Sequence, residues 1–272
     1  MGVIAALLPP GPVQRLRSAI KDRDELLVCE DWAALTHVCE RQPVRVAVID
    51  LFHQGVANFD RIRQLKQRLP RLALVCYVAA SAERAHDLFN AGRQGMNALV
   101  VLDRDDAPIE FLRILASAES GAVADVVRKL LSGVDSVVYD AVMLSITKAH
   151  ERLSPASLAR LLSHPRRTVS QRLLSAGYPP PLRLLTWGRL IVAAHMMEDA
   201  RRSADRVAAT LDFPSGSAYR NTCQRYLHAT PGQIRTRGGA QYVIRGFFRQ
   251  VQVAPMLATQ FPRASRPRAL AV

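Results

Sequence analysis

Acidic residues are scarce in the second half of this chain. Residues 126–272 hold 7 Asp and Glu against 22 Lys and Arg, whereas residues 1–125 hold 16 against 15. A nearly neutral portion is joined to a strongly basic one, and such a surface seeks a polyanion. Of those 22 basic residues 20 are Arg, the side chain suited to bidentate contact with phosphate or guanine. Cysteine is also sparse. Cys29, Cys39, Cys76 and Cys223 form no C-x-x-C, and three fall in apolar runs, so buried reduced thiols of a cytosolic protein are expected. No apolar run approaches the roughly 18 residues of a membrane span. The opening MGVIAALLPPGP lacks the basic start of an export signal. The expectation is a soluble intracellular protein with no membrane partner. The 7 His are scattered and none pairs at i, i+4 with another ligand type, so no metal is expected. G-x-S-x-G and G-x-x-x-x-G-K-[ST] are both missing, which argues against an enzyme and gives no cofactor.

What is present divides in two, as 272 residues suggest. The first part alternates short apolar runs with amphipathic stretches. Strands are predicted at 3–8, 25–29, 44–50, 72–78 and 97–102, with helices at 12–20, 32–41, 60–69, 82–91 and 107–118. Buried β-branched strands alternating with helices predict an α/β domain, a five-stranded doubly wound parallel sheet covered on both faces. After it the strand signal stops. Helices are predicted at 136–152, 156–162, 166–175, 182–199, 204–211, 216–226 and 231–237, an all-α domain. Ser154-Pro155 and Thr230-Pro231 are cap-then-Pro helix starts. The expected organisation is a first domain at 1–120, a linker at 121–134, a second domain at 135–238 and a basic tail at 239–272. Residues 254–272, with three Pro and three Arg, read as disordered.

The segment Leu211–Arg235 carries the functional signal. On a helix from Gly216, Tyr219, Thr222, Cys223 and Tyr226 share one side. Ser217, Arg220, Asn221 and Gln224 share the opposite side, with Arg225 at its edge. Those are side chains able to read base edges in a major groove. A short helix before it, across a tight turn at 212–215, makes a helix-turn-helix with the second helix as reader. A first unit precedes it: helix 156–162, a turn, then helix 166–175. There Val169 and Leu173 face inward while Arg167 and Gln171 face away, and Ser170 is a weaker reader. Arg166, Arg172, Arg225 and Arg235 are expected on phosphates rather than bases. The connecting helix 182–199 would span about 27 Å, and successive major-groove faces lie about 34 Å apart. One chain could then grip double-stranded DNA at two neighbouring grooves.

Residues 136–237 resemble the AraC/XylS class of bacterial transcription regulators. The resemblance rests on LLTWGRLIVAAHMM, Val207-Ala208, Asp212-Phe213, Tyr219, Thr230-Pro231 and Arg235 at ungapped spacing. Asp212 and His228 stand where that family usually has Gly, Cys223 replaces a usual Phe, and Asn221 a frequent Arg. The resemblance implies promoter recognition through two helix-turn-helix units, with RNA polymerase as a further partner.

Residues 3–118 look like a response-regulator receiver, with Asp50 where that family's phosphate acceptor sits. Phosphotransfer there also requires an acidic pair after strand one, a hydroxyl after strand four and a Lys on strand five. This chain offers Leu7, Leu8 and Pro9, then Tyr77 or Val78, then Leu99. The resemblance therefore implies a pseudo-receiver kept for oligomerisation or signal input, such as a homodimer formed through this domain. Phe111, Leu112, Ile114 and Leu115 could form the self-pairing face or could equally be core. The alternatives are a working two-component response regulator using Asp50, a nucleoid or RNA-binding protein held by charge alone, and a DNA-repair sensor with a reactive thiol.

Overall fold

The computed structural model describes residues 2–21, 23–79 and 81–251. The stretch expected to be disordered, 254–272, lies outside the described residues. Strands β1 (Gly2–Leu7), β2 (Asp24–Val28), β3 (Val44–Ile49), β4 (Ala73–Val78) and β5 (Ala98–Val101) form one parallel sheet in the order β2-β1-β3-β4-β5. This is the doubly wound order that places loops at the carboxyl ends of the strands. Successive side chains alternate between faces. Val3, Ala5 and Leu7 enter one core, while Ile4, Ala6 and Leu8 enter the other. Helices α2 (Trp32–Arg41), α3 (Phe59–Arg68) and α4 (Ala85–Arg93) cover the first face through Leu35, Ile62, Leu65 and Ala91. The second face is covered by α1 (Pro10–Ile20) and α5 (Pro108–Arg128), through Leu16, Ile20, Phe111 and Leu115. The result is a receiver-like α/β domain followed by an all-helical region.

That region comprises α6 (Ser136–Thr147), α7 (Pro155–Leu161), α8 (Arg166–Ser175), α9 (Pro181–Met197), α10 (Ala204–Thr210), α11 (Gly216–Leu227), α12 (Pro231–Thr236) and α13 (Ala240–Gln250). Its centre is α9, buried on nearly every side from Leu184 to Met197, as expected of a helix apolar all round. It packs against α5, α6, α7, α8, α10, α12 and α13. A Cβ on Gly188 would stand 2.0 Å from the Ser145 carbonyl oxygen, so only glycine lets α9 and α6 approach this closely.

Two sequence expectations are corrected, and one alternative left open is decided. The expected linker 121–134 begins inside a helix, because α5 continues unbroken to Arg128. Ala118 and Ala122 pack under the sheet, and Val123, Ala124 and Val127 pack into the helical core. No proline interrupts this apolar period, and Gly121 alone does not end a helix. The expected tail from 239 begins with α13, whose Ala240, Val243, Ile244, Phe247 and Phe248 are all buried. Their spacing is that of an amphipathic helix. The Gly238-Gly239 pair before it, both at positive φ, marks a turn rather than the end of the domain. Finally, Phe111 and Leu115 are core residues and not a self-pairing face. Leu112 and Ile114 are partly buried and pack on the same cluster.

The two regions meet through ion pairs. Arg45, 6 % exposed near the start of β3, donates to His195 Nδ1 at 2.8 Å and to Glu198 at 3.2 Å. Arg71 reaches the other oxygen of Glu198 at 2.6 Å. Arg202 binds both oxygens of the buried Glu119, at 2.7 and 3.0 Å. Because Arg45 donates to Nδ1, His195 is neutral with its proton on Nε2. Burial and then the Arg45 charge push the His195 pKa down to about 4. Burial works against the charge on Glu198, but the neighbouring cations keep its carboxyl below the usual range.

Candidate nucleic-acid interface

Two helix pairs, α7–α8 and α10–α11, share one local construction. Each first helix has a Ser at its N-cap. Ser154 accepts from Ser157 N at 3.0 Å, and Ser203 accepts from Arg206 N at 3.2 Å. Each first helix ends on a residue in the left-handed region, Ser163 at φ 54° and Asp212 at φ 57°. In each, the next amide bonds five residues back: His164 N to Ala159 O at 3.1 Å, and Phe213 N to Ala208 O at 2.9 Å. This is the same helix-ending turn built twice. Asp212 takes a conformation that Asp tolerates better than most residues, and Arg152 Nε donates to its carboxylate at 2.6 Å. His228, the C-cap of α11, is left-handed too, at φ 49°.

The start of α11 is capped by Ser215, which accepts from Ala218 N at 3.1 Å. A Cβ on Gly216 would stand 1.7 Å from Asp205 Oδ1, so this glycine sets the close approach of α10 and α11. Tyr219 and Cys223 are buried, with Phe213 packed on Tyr219 at 5.1 Å. Ser217, Arg220, Asn221, Gln224 and Arg225 are exposed. Arg220 donates to Ser217 Oγ at 3.1 Å and lies 3.8 Å from Asp205. On α8, Val169 and Leu173 are buried while Arg166, Arg167, Gln171 and Arg172 are exposed and Ser170 is half-buried. Arg172 pairs with Asp135 at 3.0 Å, so this cation is already engaged within the chain. Arg235 is half-buried at the end of α12.

Three further arginines, Arg152, Arg183 and Arg189, went unremarked in the sequence and stand beside Arg225. Arg152, Arg189 and Arg225 line a groove of about 490 Å³ beside the second turn. Arg183 and Arg225 line an adjoining one of about 510 Å³, and the two share Thr186. Arg183 and Arg225 both stand over the Tyr226 ring, at 5.9 and 5.4 Å, and Arg189 stands over Phe213 at 5.3 Å. Cation–π contact orients these guanidinium groups. The signal was Arg183 and Arg189 on α9 beside Arg225 on α11, hidden by the strongly apolar reading of α9.

At the carboxyl ends of the strands, Asp50 follows β3 and accepts a hydrogen bond from Phe52 N at 2.9 Å. Its carboxylate thus closes a local turn. The neighbouring strand ends are Leu7 and Leu8, Val78 and Val101, all apolar. Among the described residues no three His, Cys, Asp or Glu are grouped to hold a metal. Tyr77, named as a candidate hydroxyl, is buried and donates instead to Asp106 at 2.6 Å. All four cysteines are buried. Burial pushes the thiols of Cys39, Cys76 and Cys223 up to about 12, the reverse of what a reactive thiol needs. Among the described residues no helix is long and apolar enough to cross a membrane.

No family model matches the chain, and no curated protein matches it. Among solved structures it is similar to RcsB of Salmonella enterica serovar Typhimurium bound to promoter rprA with a phosphomimetic. That match has 17% identity, covers 69% of this chain and 98% of the other, and has a TM-score of 0.37. Full-length FixJ from B. japonicum matches at 13% identity over 67% and 95%, TM-score 0.37. ChrA, a response regulator of a heme-sensing two-component system, matches at 15% identity over 68% and 94%, TM-score 0.35. Scores this low do not establish a shared arrangement of the whole chain. None of these comparisons supports the AraC/XylS resemblance.

Proposed function

We propose that this chain is a sequence-specific DNA-binding transcription regulator. It reads promoter DNA through two helix-turn-helix units, and its receiver-like domain serves oligomerisation or signal input without standard phosphorylation. The observation that carries the reading is the repeated construction of the two units, each with a second helix whose apolar side is buried and whose polar side is exposed, with Ser, Arg, Asn and Gln on α11 and Arg and Gln on α8. Base reading falls to Ser217, Arg220, Asn221 and Gln224 on α11 and to Arg167, Ser170 and Gln171 on α8. Phosphate contact falls to Arg166, Arg225 and Arg235, and to Arg172 if its pairing with Asp135 opens. The groove arginines Arg152, Arg183 and Arg189 are assigned the same role, since they line the grooves beside the second turn next to Arg225. An AraC/XylS-like use of α9 as the spacer between two reader helices is the finer form of this proposal. It rests on the residues and turns alone. The apolar strand ends around Asp50 support the pseudo-receiver, since a carboxylate without metal ligands or Lys cannot stabilise a transferring phosphoryl group.

The test is retention of fragmented genomic DNA by the full-length protein at about 0.15 M salt, followed by sequencing. The expected result is a short motif with two half-sites about one helical turn apart. Arg220→Ala with Asn221→Ala should relax the preference at one half-site, each reader contributing roughly 1–3 kcal/mol of discrimination. Equal retention of all fragments, lost as salt rises, would instead mean charge-driven architectural binding.

A further inference from the structure

Asp205 is one of only 7 acidic residues among positions 126–272. It is exposed in the first turn of α10, beside a face proposed to meet DNA. A carboxylate in that place repels phosphate unless it holds a cation. Its cation is Arg220, whose Nη1 lies 3.8 Å from Asp205 Oδ1. Arg220 is held at a second point, since Nη2 donates to Ser217 Oγ at 3.1 Å. Among the described residues no other carboxylate is within ion-pair distance of Arg220. Gly216 makes room for the arrangement, because a Cβ there would stand 1.7 Å from Asp205 Oδ1. The carboxylate thus lies against the start of α11, where the helix dipole favours negative charge.

We infer that Asp205 is a positioning residue for base reading, which with Ser217 orients the Arg220 guanidinium toward a guanine. The inference rests on the proposed role of Arg220 as a reader. A guanidinium has five N–H donors. One on Nη2 goes to Ser217 and one on Nη1 faces Asp205, which leaves three. Guanine offers O6 and N7 as two adjacent acceptors for two of them, whereas adenine and cytosine turn an amino donor toward the same cation. A guanidinium held at two points loses less freedom on binding. The carboxylate also opposes a phosphate at that spot, so Arg220 is kept on the base edge. The pair is open to water, with side chains 47 % and 72 % exposed, and such pairs add little to folding stability. The role of Asp205 is therefore in selectivity and not in the fold.

The test is competition binding by the full-length protein at about 0.15 M salt. Its DNA is the motif recovered from genomic fragments, with each position changed in turn to the other three bases. Arg220→Ala identifies the position that Arg220 reads, because the guanine preference is lost there. Asp205→Ala should lower the guanine preference at that same position by about fivefold, the upper end for an exposed ion pair. The other positions and the unfolding midpoint should change little. Asp205→Glu, which keeps the charge, should restore most of the preference, and Asp205→Asn should not. A guanine preference left intact by Asp205→Ala would overturn the inference while the reading by Arg220 stands. So would an equal loss of affinity for all four bases, or full preference in Asp205→Asn. A failure of the reading itself shows separately, as Arg220→Ala changing the preference at no position, and the inference then falls with it.

Discussion

Gly188 is the residue at which the helical region has least freedom. Any side chain there must displace the Ser145 carbonyl, which belongs to the backbone of α6 and cannot swing aside. Gly188→Ala should therefore destabilise the protein by about 3 kcal/mol, the upper part of the usual overpacking cost, as measured by denaturant unfolding. Gly216 faces Asp205, an exposed side chain that can rotate away, so close approach alone does not make two glycines equivalent. The exposed polar faces of α8 and α11, proposed as readers, were legible because burial on these helices follows the helical period of single residues. Arg45 was not recognised in the sequence. An Arg inside the run Val44–Ile49 reads as an exposed interruption until its partners His195 and Glu198 are brought to it by α9.

At the scale of elements, α13 matters more than its position near the end of the chain suggests. Phe247 packs on Trp187 at 5.8 Å, on Tyr178 at 6.1 Å and on Phe248 at 5.1 Å. Trp187 Nε1 donates to Gln250 of the same helix at 3.2 Å. Phe247→Ala should cost about 3–5 kcal/mol and lower the unfolding midpoint without changing which bases are preferred. The strands and most helices could be read from the sequence because their apolar period is regular. Helix α13 carried the same period and was hidden by the two glycines before it. Helix α5 was cut short because a linker was expected at 121–134, where the alternation of strands and helices stops, while its apolar period runs on through Val123 and Val127. Helical periodicity outweighs the end of the strand pattern as a boundary signal. The ion pairs between the two regions had no local signal, since each joins residues far apart in the chain.

For the whole molecule, the ion pairs across the two regions make stability depend on pH. The folded His195 takes a proton only near pH 4, well below the ordinary 6.5, because burial and Arg45 oppose the charge. Between those values the unfolded chain holds more protons than the folded one, so stability rises with pH across that window and is lost as pH falls through it. His150, also depressed by burial, acts in the same direction. The expected outcome is an unfolding midpoint that is flat between about pH 6.5 and 8 and declines toward pH 4, with a separate decline above about pH 8 as the buried thiols lose their protons on unfolding. His195→Asn, which keeps an acceptor for Arg45, should make the decline toward pH 4 shallower. An unchanged slope in that variant would place the pH dependence elsewhere.

The unbroken run of α5 from the sheet into the helical core also gives the molecule a drive shaft. A helix has no slack in rotation: one inserted residue turns everything beyond it by about 100° and advances it by about 1.5 Å. The angular setting of the front half therefore fixes that of the back half, and the two cannot be tuned separately by lengthening the join. A graft of a different front half would have to meet α5 in phase. Splices differing by seven residues return to within about 20° of the original rotation but advance it by about 10.5 Å, so length as well as phase must be kept for Arg202 to meet Glu119.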